Sequence, residues 1–304
     1  MSLAASMRFF LFLGILFAVP AGFFFAWTEH KTVARLQQRI GPPVRQPFYD
    51  FVKLIGKRTP VRHGITAQLL RLYPALSVLA LFAALALLPV FPRSQGGFAG
   101  DVILFVALIE VPSLCYILAG FTSGSIFARV GARREAALSM ANGFVLLLSI
   151  ILLAIAHGSL RMSELAGLSW NLLHWAGVVG VLLSIPARLR LNPFSNANAE
   201  QEICAGPLTD YAGLPLALWE LAHALEWLTL TGFLATLILP ASLAWWLYAP
   251  AFAAACFVQV VLLSAVAAAT ARFTLQRSLH FHWCAAGFLL VFALGSAAAA
   301  RFHR

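Results

Sequence analysis

Carboxylates are scarce in this chain, and their positions carry information. Three of the eleven Asp and Glu residues, Glu200, Glu202 and Asp210, fall in one polar stretch, NPFSNANAEQEICAGPLTD (residues 192–210), between two apolar runs. Glu110 stands mid-way along another apolar run. Glu220, His223 and Glu226 follow at i, i+3 and i+6, a helical spacing that places them on one face. A charge at the centre of a bilayer costs at least about 2.5–3.5 kcal/mol. Ionisable groups in such runs are therefore neutral, paired or beside water, and a row of them suits a proton relay. The competing readings are plainer. Glu200 and Glu202 would be solvated loop charges, and the 220–226 trio a hydrogen-bonded seam toward a neighbouring subunit. Glu110 would reach water or pair with another subunit.

Other chemistry is thin. The four cysteines, Cys115, Cys204, Cys256 and Cys284, have no CxxC spacing, so they signal neither a zinc or iron–sulfur site nor a disulfide framework. His280 and His282 flank Phe281 at the start of an apolar run, a place that suits an interface better than a metal. There is no nucleophile–base pair, phosphate-binding loop or metal-ligand spacing. The chain by itself is expected to catalyse nothing and to bind no metal or cofactor.

The elements that must position these groups are membrane helices. The chain has 304 residues, is 61% hydrophobic and 11% charged, and has a mean hydropathy of +0.86. Soluble domains carry roughly 25% charged residues. Apolar runs of about 20 residues indicate helices rather than a barrel. Eight spans are predicted: 9–27, 72–91, 101–121, 139–157, 170–186, 211–239, 243–268 and 281–300. The expected architecture is an all-α integral membrane bundle, 1–304 as a single membrane domain. The N-terminal MSLAASMRFF reads as the start of a retained helix rather than a signal peptide. The sixth span is long enough to tilt or bend. Pro20, Pro112 and Pro215 mark possible kinks.

The net charge of +10 does not point to nucleic acid, because the charges cluster at the ends of alternate spans. The first, third, fifth and seventh connections hold sixteen of the twenty-one Lys and Arg residues, Arg188 and Arg190 among them. The positive-inside bias then puts those connections in the cytoplasm and both termini outside, in an inner (cytoplasmic) membrane. The uncharged connection at 240–242 becomes a tight external turn. The first cytoplasmic loop, 28–71, contains a basic helix-compatible segment (31–40) stopped by Gly41-Pro42-Pro43. An amphipathic segment (46–57) comes next. It suits the membrane surface or the underside of a soluble partner, and its basic residues also suit anionic headgroups. The acidic cytoplasmic loop is 187–210.

Three motifs in order resemble a family. ARLQQRIGP (34–42) followed by YDFVKL (49–54), then GARREA (131–136), then ANAEQEICAGPLTDYAG (197–213) are similar to segments of NADH dehydrogenase subunit 1 of mitochondrial complex I. They resemble more closely the small membrane subunits of formate hydrogenlyase and other energy-converting group 4 nickel–iron hydrogenases. The resemblance implies a bundle of eight tilted helices at the joint between a soluble redox arm and antiporter-like membrane subunits. It implies partners: a soluble hydrogenase-like large subunit with the nickel–iron centre, an iron–sulfur small subunit, an antiporter-like membrane subunit, and lipid. Arg35, Arg39, Asp50, Lys53, Arg134 and Glu135 become candidates for docking the arm, with Arg134–Glu135 readable as a local ion pair holding the third loop. Glu110, Glu200, Glu202, Asp210, Glu220, His223 and Glu226 become candidates for a proton or sodium path. The departures are specific. Ser195 and Asn198 stand where relatives carry acids in the loop, Asn142-Gly143 where a carboxylate is expected after REA, and His223 where complex I members carry Glu. They imply coupling that is weakened, rerouted through Glu110 and the 220–226 face, or lost. A quinone-site subunit of a complex I-type dehydrogenase and a stand-alone secondary transporter are the other functions to weigh.

Overall fold

The computed structural model describes residues 3–57, 64–89, 98–240 and 243–302; side chains are described from residue 16 onward, except at 200, 201, 245 and 297–302. The described residues form helices and no strand. Eight helices are long: α1 (Leu3–Leu36), α3 (Ile65–Leu87), α4 (Asp101–Thr122), α5 (Ile126–His157), α7 (Leu172–Arg188), α9 (Leu214–Ile238), α10 (Trp245–Ala269) and α11 (Leu275–Phe302). Three are short: α2 (Gln46–Gly56), α6 (Met162–Leu165) and α8 (Glu200–Ile203). Each expected span overlaps one long helix. Six of these are long and apolar enough to cross a membrane among the described residues. The chain is a multi-pass membrane protein.

The helix ends differ from the span ends. α1 continues to Leu36, α3 begins at Ile65 and α5 begins at Ile126, so much of the stretch 28–71 and of the third connection is helical. Hydropathy marks where apolar side chains stop, whereas a helix ends where its backbone is capped or turned. α1 stops just before Gln38, whose φ is 59°. The Gly41-Pro42-Pro43 turn then folds back on it: Trp27 Nε1 donates to the Pro42 carbonyl (3.1 Å) and Lys31 Nζ to the Ile40 carbonyl (2.7 Å). Pro20 and Pro112 lie inside α1 and α4, but Pro215 sits in the first turn of α9. A proline there loses no intrahelical bond, so the kink expected at Pro215 is not formed. The expected turn at 240–242 falls partly outside the described residues.

α9 is the axis of the bundle. Its most apolar window is 83% buried inside the protein, against 28% for α10 and α11, so it is enclosed by the rest of the chain where they lie at its periphery. It packs against α1, α2, α3, α7 and α10, and α5 against α4, α7 and α11. The main core cluster joins Trp227, Leu230 and Phe233 of α9 to Phe105 of α4 and Val181 of α7, with the Phe105 and Phe233 rings 4.8 Å apart. Hydroxyls inside it, such as those of Thr229 and Thr231, donate to carbonyls one turn back and so satisfy themselves within their own helix.

Candidate functional site

The site is built around the C-terminal end of α7 and the connection after it. α7 ends at Arg188, and Arg190 has φ 55°, uncommon for a side chain with a Cβ. Both Arg side chains are nearly buried, at 3% and 7% exposed. Arg190 lies between two carboxylates: its Nε is 3.2 Å from Glu135 Oε1 of α5, and its Nη1 is 3.2 Å from Glu226 Oε2 of α9. Its guanidinium also lies 4.3 Å from the centroid of the Tyr116 ring of α4. Arg188 pairs with Glu110 of α4 and donates to the Ile109 carbonyl (2.7 Å), one turn before Pro112.

The cluster continues through α9 into α1. His223 Nδ1 is 3.8 Å from Glu226 Oε2, and its Nε2 is 3.6 Å from Glu29 Oε2. Trp227 Nε1 donates to the same Glu29 oxygen at 2.8 Å. Contacts therefore run from Glu29 through His223, Glu226 and Arg190 to Glu135, with Arg188–Glu110 alongside. Four carboxylates face two guanidinium groups and one imidazole.

The acidic stretch is strapped over this cluster from several sides. Glu202 is held by Arg134 of α5 (2.6 Å) and by Arg272 between α10 and α11. Its carboxyl lies below the ordinary carboxylate value because of the Arg134 hydrogen bond and charge, then the Arg272 charge. Tyr116 donates to Asn198 Oδ1, and Ser123 to Asp210 Oδ2. Asn196 Nδ2 donates to Ser278 Oγ of α11 (2.8 Å), and the Phe194 ring packs on Phe273, Phe281 and His282. Backbone contact is close: a Cβ on Gly131 would lie 2.9 Å from the Ala197 carbonyl oxygen and 2.7 Å from Pro207 Cδ. GARREA and the acidic stretch are thus two halves of one joint.

Several sequence expectations change. Arg134 and Glu135 do not pair with each other; adjacent helix positions diverge by about 100°, and each finds a partner elsewhere, Glu202 and Arg190. Glu220 is exposed and outside the cluster, whereas Glu226 is buried. Each i+3 step falls about 60° short of a full turn, so i and i+6 diverge by about 120° and cannot share a narrow face. Glu110 pairs within the chain, through Arg188. Arg188 and Arg190, expected as loop charges, are interior. The side chain of Glu200, at the start of α8, lies outside the described residues. Arg35 is in the last turn of α1 and Lys53 in that of α2, Arg39 follows α1 in an exposed stretch, and Asp50 accepts from Gln46 (3.0 Å). On α2, Phe51 packs on Phe23 (5.3 Å between centroids), while Phe48, Tyr49, Val52 and Ile55 are exposed. His282 is buried and its Nδ1–H donates to the Ser278 carbonyl (2.8 Å), so it is a packed residue rather than an interfacial one.

Glu29, Tyr116, Arg188 and Arg190 were not expected here. Glu29 did have a signal, as the only acid in the first 49 residues. Among the described residues, no three His, Cys, Asp or Glu side chains group closely enough to hold a metal ion.

Residues 8–298 match the family model described as NADH dehydrogenase. The chain belongs to that family. It is 31% identical over 223 residues to hydrogenase-4 component C of Escherichia coli (strain K12), covering 71% of this chain and 70% of that protein. Its fold matches a chain in the solved structure of the membrane-bound sulfane sulfur reductase, an archaeal respiratory membrane complex. That match has a TM-score of 0.84 and 26% identity, over 95% of this chain and 99% of the other. The family and the fold agree with the resemblance carried by the three motifs.

Proposed function

We propose that this chain is a membrane subunit of a respiratory redox complex of the complex I and hydrogenase-4 kind, in which it anchors a soluble arm and carries part of a proton path. The observation that carries the reading is the cluster in which Arg188, Arg190, Glu135 and Glu226 are buried and Glu29, His223 and Glu110 half-buried. Counting His223 as a cation, its four carboxylates exceed its bases by one negative charge. A proton taken up by Glu226 therefore leaves every cation with a carboxylate partner, Arg190 with Glu135, His223 with Glu29 and Arg188 with Glu110, which suits a relay station at membrane depth.

Membership of the NADH dehydrogenase family, and likeness to a hydrogenase-4 component and to a chain of a respiratory complex, favour this over a stand-alone transporter. Arg35, Arg39, Lys53 and the exposed apolar side chains of α2 form the docking surface for the arm. The iron–sulfur clusters and nickel–iron centre belong to its iron–sulfur and hydrogenase-like subunits, and an antiporter-like subunit adjoins in the membrane. With Arg188 and Arg190 set aside as interior, the remaining basic excess supports a cytoplasmic surface, in an inner membrane with both termini outside.

Isolation of the tagged chain from native membranes, with redox-driven proton uptake measured in vesicles, tests both halves. Iron–sulfur and antiporter-like proteins should co-isolate, and E226Q should lose uptake while redox turnover persists. A chain that isolates alone refutes the anchor, and full uptake per turnover in E226Q refutes the relay.

A further inference from the structure

A small cavity lies between the two ion pairs at the end of α7. Ser113, Glu135, Ser139, Asn142 and Arg188 line it, and it offers about 10 Å³ to the centre of a water molecule, room for one. Two buried polar atoms at this cavity have no hydrogen-bond partner in the protein: Asn142 Oδ1 and Arg188 Nε, on residues only 2% and 4% exposed. One is an acceptor and the other a donor, a pair that a single water satisfies at once. Left dry, each would have given up its hydrogen bonds to water with nothing in return.

The neighbouring residue on α5 is Gly143. A Cβ built there would meet only Glu110 Oε1, at 3.7 Å. The carboxylate of Glu110 thus comes from α4 into the space that a side chain at 143 would enter, beside Arg188.

From these two observations we propose that a water bound at Asn142 Oδ1 and Arg188 Nε joins Glu110 to Glu135, and that Glu110 supplies from α4 an acid whose place α5 leaves open at Gly143. This deepens the relay reading above and rests on it for its functional readout. The transfer is balanced: the Glu110 carboxylic acid gives its proton to the water, which passes one of its own to the Glu135 carboxylate and is left unchanged. Arg188 holds the water and the Glu110 carboxylate and passes no proton. Arg190 and Glu226 face Glu135 from the other side.

The test uses the complex that contains the full chain, with proton uptake and redox turnover measured in parallel. E110A and N142L should lose uptake per turnover. E110A/G143E returns a carboxylate to the same place from the other helix and should regain what E110A loses. A double variant no better than E110A, or N142L with full uptake, overturns the proposal. If the unaltered complex drives no uptake at all, the relay reading falls separately, and the site is decided by an experimental map that resolves waters. A water within hydrogen-bond reach of Asn142 Oδ1 and Arg188 Nε, absent from N142L, supports it; a dry cavity overturns it.

Discussion

Arg190 makes the sharpest claim on stability, because one guanidinium separates two buried carboxylates. Both contacts are 3.2 Å, and the side chains of Glu135 and Glu226 are 3% and 6% exposed. At an effective dielectric of about 20, each such contact is worth about 5 kcal/mol before desolvation is counted. Burying the guanidinium gives back several kcal/mol of that. Its place over the Tyr116 ring adds about 1–2 kcal/mol. R190M removes the charge but keeps the Cβ and the unbranched stem. The strain of the positive φ therefore stays in both proteins and cancels.

The expected loss for R190M is about 3–5 kcal/mol, the scale for a buried charge left without its partner. That is a factor of about 10² to 10⁴ in the folding equilibrium. Proton uptake by the stranded carboxylates holds the loss to this range. The measurement is reversible unfolding in mixed detergent micelles, alongside R190K and the triple variant R190M/E135Q/E226Q. R190K should fall between, since one ammonium cannot span two carboxylates as a fork does. The triple variant should regain most of the loss, because no uncompensated charge remains. If R190M lies within about 1 kcal/mol of the parent, as for an exposed pair, or if the triple variant is no better than the single one, the reasoning fails.

Two further outcomes concern the strapped acidic stretch. Glu202 is held below its ordinary value of 4.5 by Arg134 and Arg272, so its contribution is present above that value and is lost as pH falls through the depressed one. Hydrogen-exchange protection of residues 192–210 should therefore hold above pH 4.5 and weaken as pH falls below it, and E202Q should remove this dependence. G206A should cost at least about 1–2 kcal/mol on backbone grounds: Gly206 has φ 54°, and a Cβ there would lie 2.1 Å from the Ala197 carbonyl oxygen. Unfolding within the parent's error would show that the close approach of the two strands of this loop is not needed.

The eight-helix architecture was legible because hydropathy is a property of single stretches, read without knowing what lies opposite. The joint was legible in part, because the acidic stretch stands out by composition and GARREA by its resemblance to the family. What joins them was not. Trp227 reaches Glu29 across 198 positions, and Arg134 reaches Glu202 across 68. No local pattern encodes such pairs. Arg188 and Arg190 show the difficulty most plainly. Two arginines just past an apolar run read as charges that orient a helix, and only the packing of α4, α5 and α9 around them makes them interior.

The residues that stand where the resemblance leads one to expect acids are better understood through their partners. Asn198, where the resemblance leads one to expect an acid, accepts from Tyr116, the same residue whose ring lies against Arg190. An amide there keeps the loop tied to the cluster while adding no fifth negative charge to it. Gly143, where another acid is expected, faces the carboxylate of Glu110. That carboxylate is also what makes a buried Arg188 tolerable, since Glu135 is already engaged by Arg190. Placing acids at 198 and 143 while keeping Glu110 would bring six carboxylates against three bases, and the added negative charges would have no cation to meet. The present arrangement differs by one. Glu110 on α4, Gly143 on α5 and Asn198 in the loop are then parts of a single electrostatic solution rather than separate features.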